Sequence, residues 1–235
     1  MNPRLVFHEL NARLPADVIV TADAGTTADW YGNHLFLGPR MRGNLSGRLA
    51  TMLAAMPYAM AAKFAYPDRP VVCTIGDGAF QMLGMNGLIT LKRHWSEWSN
   101  PTFIVLVLHN DDLNQVTWEM REAGDPRYDT SQLLETVDYA GYAELLGFQG
   151  IRVDDPDDVG AAWDRAFAAD RPVLLDVRTD KNVPPLPPHV TFDQAKGVAE
   201  ALLHGDPDAA AVVANSARAV ASRVFASART GNGSE

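Results

Sequence analysis

The spacing of apolar residues changes along the chain, and the changes mark out its elements. Leu5, Val6, Leu10 and Leu14 recur at helical spacing, so residues 3–14 read as an amphipathic helix with Pro3 in its first turn. Asp17-Val18-Ile19-Val20-Thr21 is a short β-branched strand running into Ala22-Asp23-Ala24-Gly25-Thr26-Thr27, and another helix follows through Trp30. Ser46 to Ala65 is nearly apolar all round, which predicts a buried helix broken or kinked near Pro57. Pro70 to Ile75 and Thr102 to Leu108 are continuous apolar strands, with a helix over Gln81–Lys92 between them. The pattern repeats as helix 132–146, strand 148–153, helix 157–169 and strand Pro172–Val177. Strands apolar on both faces and alternating with helices predict an α/β fold, a parallel sheet covered by helices on both sides.

In such sheets ligands bind at the carboxyl ends of the strands. Three polar segments fall there: residues 23–27, 76–79 and 109–114. Gly76-Asp77-Gly78-Ala79 places an acid between two glycines at the start of a helix. Glycine lets backbone approach a phosphate, and a helix N-terminus aims N–H groups at it. A bare carboxylate would repel that phosphate, so Asp77 makes sense when a divalent cation lies between them. Mg²⁺ takes few oxygens from protein and the rest from phosphate and water. Asp77, the side-chain carbonyl of Asn110 and a nearby backbone carbonyl would supply such a set. Taken singly, Asp77 could be a helix cap and Asn110-Asp111-Asp112 an Asx turn opening the next helix. The third position of a dinucleotide fingerprint is occupied by Gln81, and no phosphate-loop, nucleophile-elbow or His/Cys metal spacing occurs.

Composition narrows the classes. With 235 residues, 47% hydrophobic, the chain can bury a full core. A formal charge of −9 argues against nucleic acid as a partner. The single cysteine, Cys73, sits in an apolar strand, which leaves no disulfide framework and marks it as a core residue. No apolar run approaches the ~20 residues of a membrane span, and the N-terminus has no signal-peptide core, so a cytoplasmic protein is expected. Pro184-Pro185-Leu186-Pro187-Pro188 reads as a stiff surface segment, 192–203 and 207–228 as Ala-rich helices, and Gly231–Glu235 as a disordered tail.

Gly76-Asp77-Gly78 followed after about thirty residues by Asn110 resembles the signature of thiamine-diphosphate enzymes. The likeness is strongest to the diphosphate-binding (PP-type) domain of the pyruvate oxidase, quinone-dependent pyruvate dehydrogenase and acetolactate synthase family. Ser46-Gly47-Arg48-Leu49-Ala50-Thr51-Met52, Pro57 to Lys63, Tyr66 to Val71 and Ala169 to Leu174 follow the family as well. The resemblance covers residues 3 to 190, so 1–190 is expected to be the cofactor domain and 191–235 a helical extension with its tail. It implies Mg²⁺ on Asp77, Asn110 and the Asp112 backbone carbonyl. It implies diphosphate N–H donors at Gly78, Ala79 and the Gly25-Thr26-Thr27 turn beside Gly76. Met52 would wedge under the cofactor and bend it, its N–H and the Ala50 carbonyl holding the aminopyrimidine, with Thr51 between them. Leu113, Asn114, Gln115 and Val116 would line the substrate side, and His109, in place of the usual Asn, would neighbour the site without being a ligand or base.

The resemblance further implies decarboxylation of a 2-oxo acid such as pyruvate, most like the pyruvate oxidase and dehydrogenase members. A carboligase of the acetolactate synthase type and a split-subunit decarboxylase are the alternatives. The cofactor lies between two domains in that family, and the activating glutamate belongs to the pyrimidine-binding one. A chain of this length holds one of the two. No catalytic residue is therefore expected in this chain, a Pyr-type partner domain and a homo- or hetero-oligomer are, and FAD enters only through a middle domain outside it. The family usually carries glycines just after the Met, where this chain has Leu53-Ala54-Ala55. That departure keeps open a third reading, a non-catalytic remnant with an assembly or regulatory role.

Overall fold

The computed structural model describes residues 1–185 and 191–230, with side chains through Ala219. Among these residues six parallel strands form one sheet in the order β2-β1-β3-β4-β6-β5. They are β1 (Ile19–Ala22), β2 (Arg42–Leu45), β3 (Val71–Gly76), β4 (Phe103–His109), β5 (Gln149–Val153) and β6 (Val173–Arg178). In the central strands every residue faces a core. Val72, Ile104, Leu106, Leu175 and Val177 point to one face, where they meet Phe7 and Leu10 of α1 (Pro3–Asn11), Trp30 of α2 (Thr26–His34) and Trp163 of α9 (Val159–Phe167). Val71, Cys73, Ile75, Val105, Val107 and Leu174 point to the other. There they meet Met56 and Ala59 of α3 (Ala55–Ala65), Leu88 and Leu91 of α5 (Met85–His94), and Tyr139 and Ala143 of α8 (Tyr139–Leu145). The period of two along each strand and the helices on both faces are the expected α/β layering.

Several elements depart from the sequence pattern. The helix expected over 46–65 begins only at Ala55, and residues 46–53 form an exposed loop in which Leu49 is 86% accessible. Pro57 lies in the first turn of α3, where a missing N–H breaks no helical bond, so there is no kink to place. Nor is α3 buried all round, since Tyr58 and Phe64 face outward. The helix expected over 132–146 is in fact a single turn, α7 (Asp129–Gln132), and then α8. Between them Leu133 bridges to Asp112, and the Leu134 N–H bonds the Asp111 carbonyl. The helix expected over 81–92 starts at Asp77. It runs through α4 (Asp77–Ala79) and a π-helical turn, Phe80–Gly84, into α5. Strand β2 had no apolar signal because it is an exposed edge.

Helices α10 (Phe192–Leu203) and α11 (Ala209–Thr230) follow, and α10 lies along α6 (Asn114–Ala123). The contact is close enough that a side chain at Gly197 would meet the Glu122 backbone. Leu186–Pro188 of the proline segment and the tail Gly231–Glu235 lie outside the described residues.

Candidate active site

Strand β2 lies on one side of β1 and β3 on the other, so the winding direction reverses between β1 and β3. A crevice opens at such a reversal, outside the carboxyl ends of the strands. Here it is a small cleft, about 70 Å³, walled by the segments after β1, β3 and β4. Two helix N-termini open into it. Helix α2 starts at Thr26 after Gly25, whose φ of 77° suits glycine, and α4 starts at Asp77 after Gly76; neither has a side-chain cap. Neither Gly25 nor Gly76 can cap its helix with a side chain, and Thr26, Thr27, Asp77, Gly78 and Ala79 of the two first turns line the cleft. Gly78 is closely hemmed in, because a Cβ there would come within 2.7 Å of Leu113 Cδ2.

Asp77 is 2% exposed. Its Oδ2 accepts the N–H groups of Asn110 (2.8 Å) and Asp111 (2.6 Å), and its Oδ1 that of Gly78 (2.9 Å). Burial pushes this carboxyl up to about 6, against the pull of those N–H groups and of His109. The side-chain Oδ1 of Asn110 accepts the Asp112 N–H at 3.0 Å. The loop that brings Asn110 to Asp77 includes Asp111 in the left-handed region, with φ of 56°.

An ionic chain runs from the core toward the surface beside the cleft residue Asn110. His109 is fully buried, with Nδ1 2.7 Å from Asp176 and Nε2 2.8 Å from Asp111. Asp111 reaches Arg178 at 2.6 Å. Burial alone would lower the His109 imidazolium, but the carboxylates on both ring nitrogens outweigh it and hold the group above its ordinary value. Oxygen and nitrogen atoms of Asp77, His109 and Asp111 lie within 4.8 Å of one another. With both ring nitrogens engaged, His109 offers no lone pair to a cation, and the oxygens of Asp77 and Asn110 are the donors that face the cleft.

Of the residues expected to hold a cofactor, Gly25, Thr26, Thr27, Met52, Gly76, Asp77, Gly78, Ala79, Asn110, Asp112, Leu113 and Asn114 line this cleft, as do Gln115 and Val116. Ala50 and Thr51 do not; they sit in the exposed loop before α3, and Ala50 has φ of 44°. The N–H of Gly78, expected to face a diphosphate, is donated to its neighbour Asp77.

Sequence reasoning passed over the part played by Asp23. Its buried carboxylate accepts N–H groups from Ala24 (3.0 Å), Leu53 (2.8 Å) and Ala55 (2.9 Å), so it closes the loop that carries Met52 and caps α3 from outside. Leu53, where the family favours glycine, has φ of 74°, a conformation that strains an L side chain. Asp176 was also missed, although an acid in the apolar run Val173–Val177 signals a buried partner.

Residues 23–177 match the family described as thiamine pyrophosphate enzyme, C-terminal TPP binding domain. The chain is 32% identical over 203 residues to the Bacillus subtilis protein YdaP, whose name describes it provisionally as thiamine pyrophosphate-containing; the match covers 86% of this chain and 34% of YdaP. It is 34% identical to the acetolactate synthase isozyme 2 large subunit of Escherichia coli, over 78% of this chain and 33% of that subunit. To the sulfoacetaldehyde acetyltransferase of Alcaligenes xylosoxydans it is 31% identical, over 71% of this chain and 26% of the relative. The chain thus spans about a third or less of the length of these relatives.

Proposed function

We propose, from the premise that this chain belongs to the thiamine pyrophosphate enzymes and carries their C-terminal cofactor-binding domain, that it holds thiamine diphosphate through Mg²⁺ for the decarboxylation of a 2-oxo acid of the pyruvate type. One observation carries the reading. A buried acid, Asp77, and two helix N-termini without side-chain caps face a single cleft, so anion donors and a cation ligand are present together. In this reading Asp77, Asn110 and the Asp112 carbonyl hold the cation, and the first turns of α2 and α4 hold the diphosphate. Met52, at the rim opposite Gly78, fixes the angle between the cofactor rings. Thiamine diphosphate supplies the electron sink for carbon–carbon cleavage, and the protein supplies binding, orientation and exclusion of water. The chain contributes no acid or base of its own; a Pyr-type domain, from a partner or another region of the protein, supplies the activating glutamate and closes the cleft.

Two relatives' names, an acetolactate synthase and an acetyltransferase, favour a second reading for the acceptor, in which the two-carbon unit is transferred and not oxidised. Calorimetric titration of the chain with thiamine diphosphate tests the common core. Saturable heat that requires Mg²⁺ and weakens at least ~tenfold in Asp77→Asn is expected. A chain that gives no heat even with a Pyr-type domain present, or binds equally well after that substitution, overturns the reading.

A further inference from the structure

Asp112 is 2% exposed, and its Oδ2 accepts the side-chain N–H of Asn114 at 3.1 Å. Its Oδ1 has no hydrogen-bond partner, and a cationic nitrogen, Arg127 Nη1, lies 3.9 Å away. The Arg127 side chain is itself 7% exposed and has other carboxylates around it: Nη2 pairs with Asp129 at 2.8 Å, Nε lies 3.1 Å from Asp208 in an ion pair without a hydrogen bond, and the backbone N–H donates to Asp206 at 2.9 Å. Asp206 and Asp208 form the turn between α10 and α11. They are anchored in turn by Arg121 of α6, whose fully buried guanidinium meets Asp206 at 2.9 and 3.1 Å and Asp208 at 3.3 Å. The same turn lies near Lys181, which is 4.0 Å from Asp208 and whose carbonyl accepts the side-chain N–H groups of Asn114 and Trp118. An unbroken path of charged and polar contacts therefore joins the C-terminal hairpin to the loop over the cleft.

We propose that Arg127 is a positioning residue for the segment Asn110–Val116, and that the α10–α11 turn, through Asp206 and Asp208, holds Arg127 in place. A carboxylate buried at the loop needs a compensating cation, and a buried arginine needs carboxylates on its remaining donors. Asp112 alone does not hold Arg127, and the hairpin adds a carboxylate beside Nε and an acceptor for the backbone N–H. The C-terminal helices thus act on the cleft without contributing a lining residue. Only the ligand half of the test below rests on the thiamine diphosphate reading.

The test uses the full chain without ligand, and amide hydrogen exchange as readout. The Leu113 N–H bonds the Gln132 carbonyl and the Leu134 N–H bonds the Asp111 carbonyl, so both amides report on the loop. In Arg127→Met and in the milder Asp208→Asn, exchange at Leu113 and Leu134 rises at least ~tenfold, while the central-strand amides of Cys73 and Val105 keep their parent rates. Arg152→Ala, which removes an exposed pair with Asp154, leaves all four unchanged. Parent-like exchange at Leu113 and Leu134 in both variants, or equal acceleration everywhere, overturns the proposal. Should Arg127→Met not fold, Asp208→Asn and Arg127→Lys decide by the same amides. Calorimetry with thiamine diphosphate and Mg²⁺ adds the second arm: affinity drops at least ~tenfold in Arg127→Met relative to the parent. Equal affinities overturn the link to the ligand. A parent that binds nothing even with a Pyr-type domain present sinks the cofactor reading, and the exchange result still decides the role of Arg127.

Discussion

Replacing Asp23 by alanine removes the acceptor that ties the Met52 loop to the sheet. Three N–H groups, those of Ala24 and Leu53 at part-buried positions and that of Ala55 in the core, lose their partner at once. A hydrogen bond to a charged acceptor contributes about 1.5–3 kcal/mol, so a simple sum would run from about 5 to 9 kcal/mol. Two effects shrink that. Burial pushes the Asp23 carboxyl above its ordinary range, so deleting it recovers part of a desolvation penalty. Water entering the vacated space also rescues some of the donors. A loss of about 3 kcal/mol remains for Asp23→Ala, and about 1–2 kcal/mol for Asp23→Asn, whose single carbonyl oxygen keeps the donors on one side.

The assay is urea unfolding paired with amide exchange at Leu53 and Ala55. Global stability should fall by the amounts above, and the Leu53 amide should lose protection even under fully native conditions. Leu53 is the sharper reporter, because its φ of 74° is held against its own preference and relaxes when the bond to Asp23 goes. Freed at that point, Met52 loses its fixed place opposite Gly78, and cofactor affinity drops with it. A stability change under about 1 kcal/mol together with parent-like protection of Leu53 would refute the reasoning.

Asp29, in the first turn of α2, is pushed up to about 6 by burial and by Glu122 and Glu119. Its folded value lies above the unfolded one, so its contribution is fully present below about pH 4 and is lost as pH rises to about 6. Asp29→Asn should therefore stabilise the chain by about 1–2 kcal/mol at pH 7.5, after discounting for solvent screening, and change little near pH 4, as measured by urea midpoints at both values. Gly78→Ala drives a Cβ against Leu113 Cδ2, the end of a flexible side chain. Unfolding should show a loss of only about 1 kcal/mol, while titration with thiamine diphosphate and Mg²⁺ shows affinity at least ~tenfold weaker, because Leu113 shifts into the cleft. Gly150→Ala meets the backbone of Ala140, which cannot step aside. It should cost about 2–3 kcal/mol by thermal or urea unfolding, whereas Gly32→Ala, in helix α2 with nothing near its Cβ, should not destabilise the chain.

The central sheet was legible because strands buried on both faces must be apolar throughout, and β3, β4 and β6 have no other way to satisfy two cores. The edge strand Arg42–Leu45 was not, since an exposed strand needs no pattern. Apolar spacing misled at Leu133 and Leu134. These residues pair with the loop at Asp111 and Asp112, a long-range contact that periodicity within one segment cannot register. It misled again at 46–54, where Leu49 and Met52 face outward. The cleft itself was readable from three polar segments at strand ends. What holds it was not: Asp23, Arg127 and Asp206 act through partners 30 to 85 residues away, and only the tertiary fold supplies those.

Three buried acids, Asp23, Asp77 and Asp176, lie at or near the carboxyl ends of β1, β3 and β6, and their surroundings assign them different work. A carboxylate has about four lone-pair sites. Asp23 uses three on N–H groups and is wholly enclosed, so nothing further can reach it and its role is to hold the Met52 loop. Asp176 gives one oxygen to His109 and leaves the other without a partner in the core, which makes it the counter-charge that keeps an imidazolium buried. Asp77 also uses three, but it lines the cleft, so a ligand can reach it there. The N–H groups that fix it come from its own helix start and from the adjacent strand end. A cation binding there would meet a carboxylate already held in place, and one whose affinity for a proton is raised by the same burial that favours a divalent partner. Access to the cleft, more than charge or burial, distinguishes Asp77, the acid we propose to hold the cation, from the two that serve the fold.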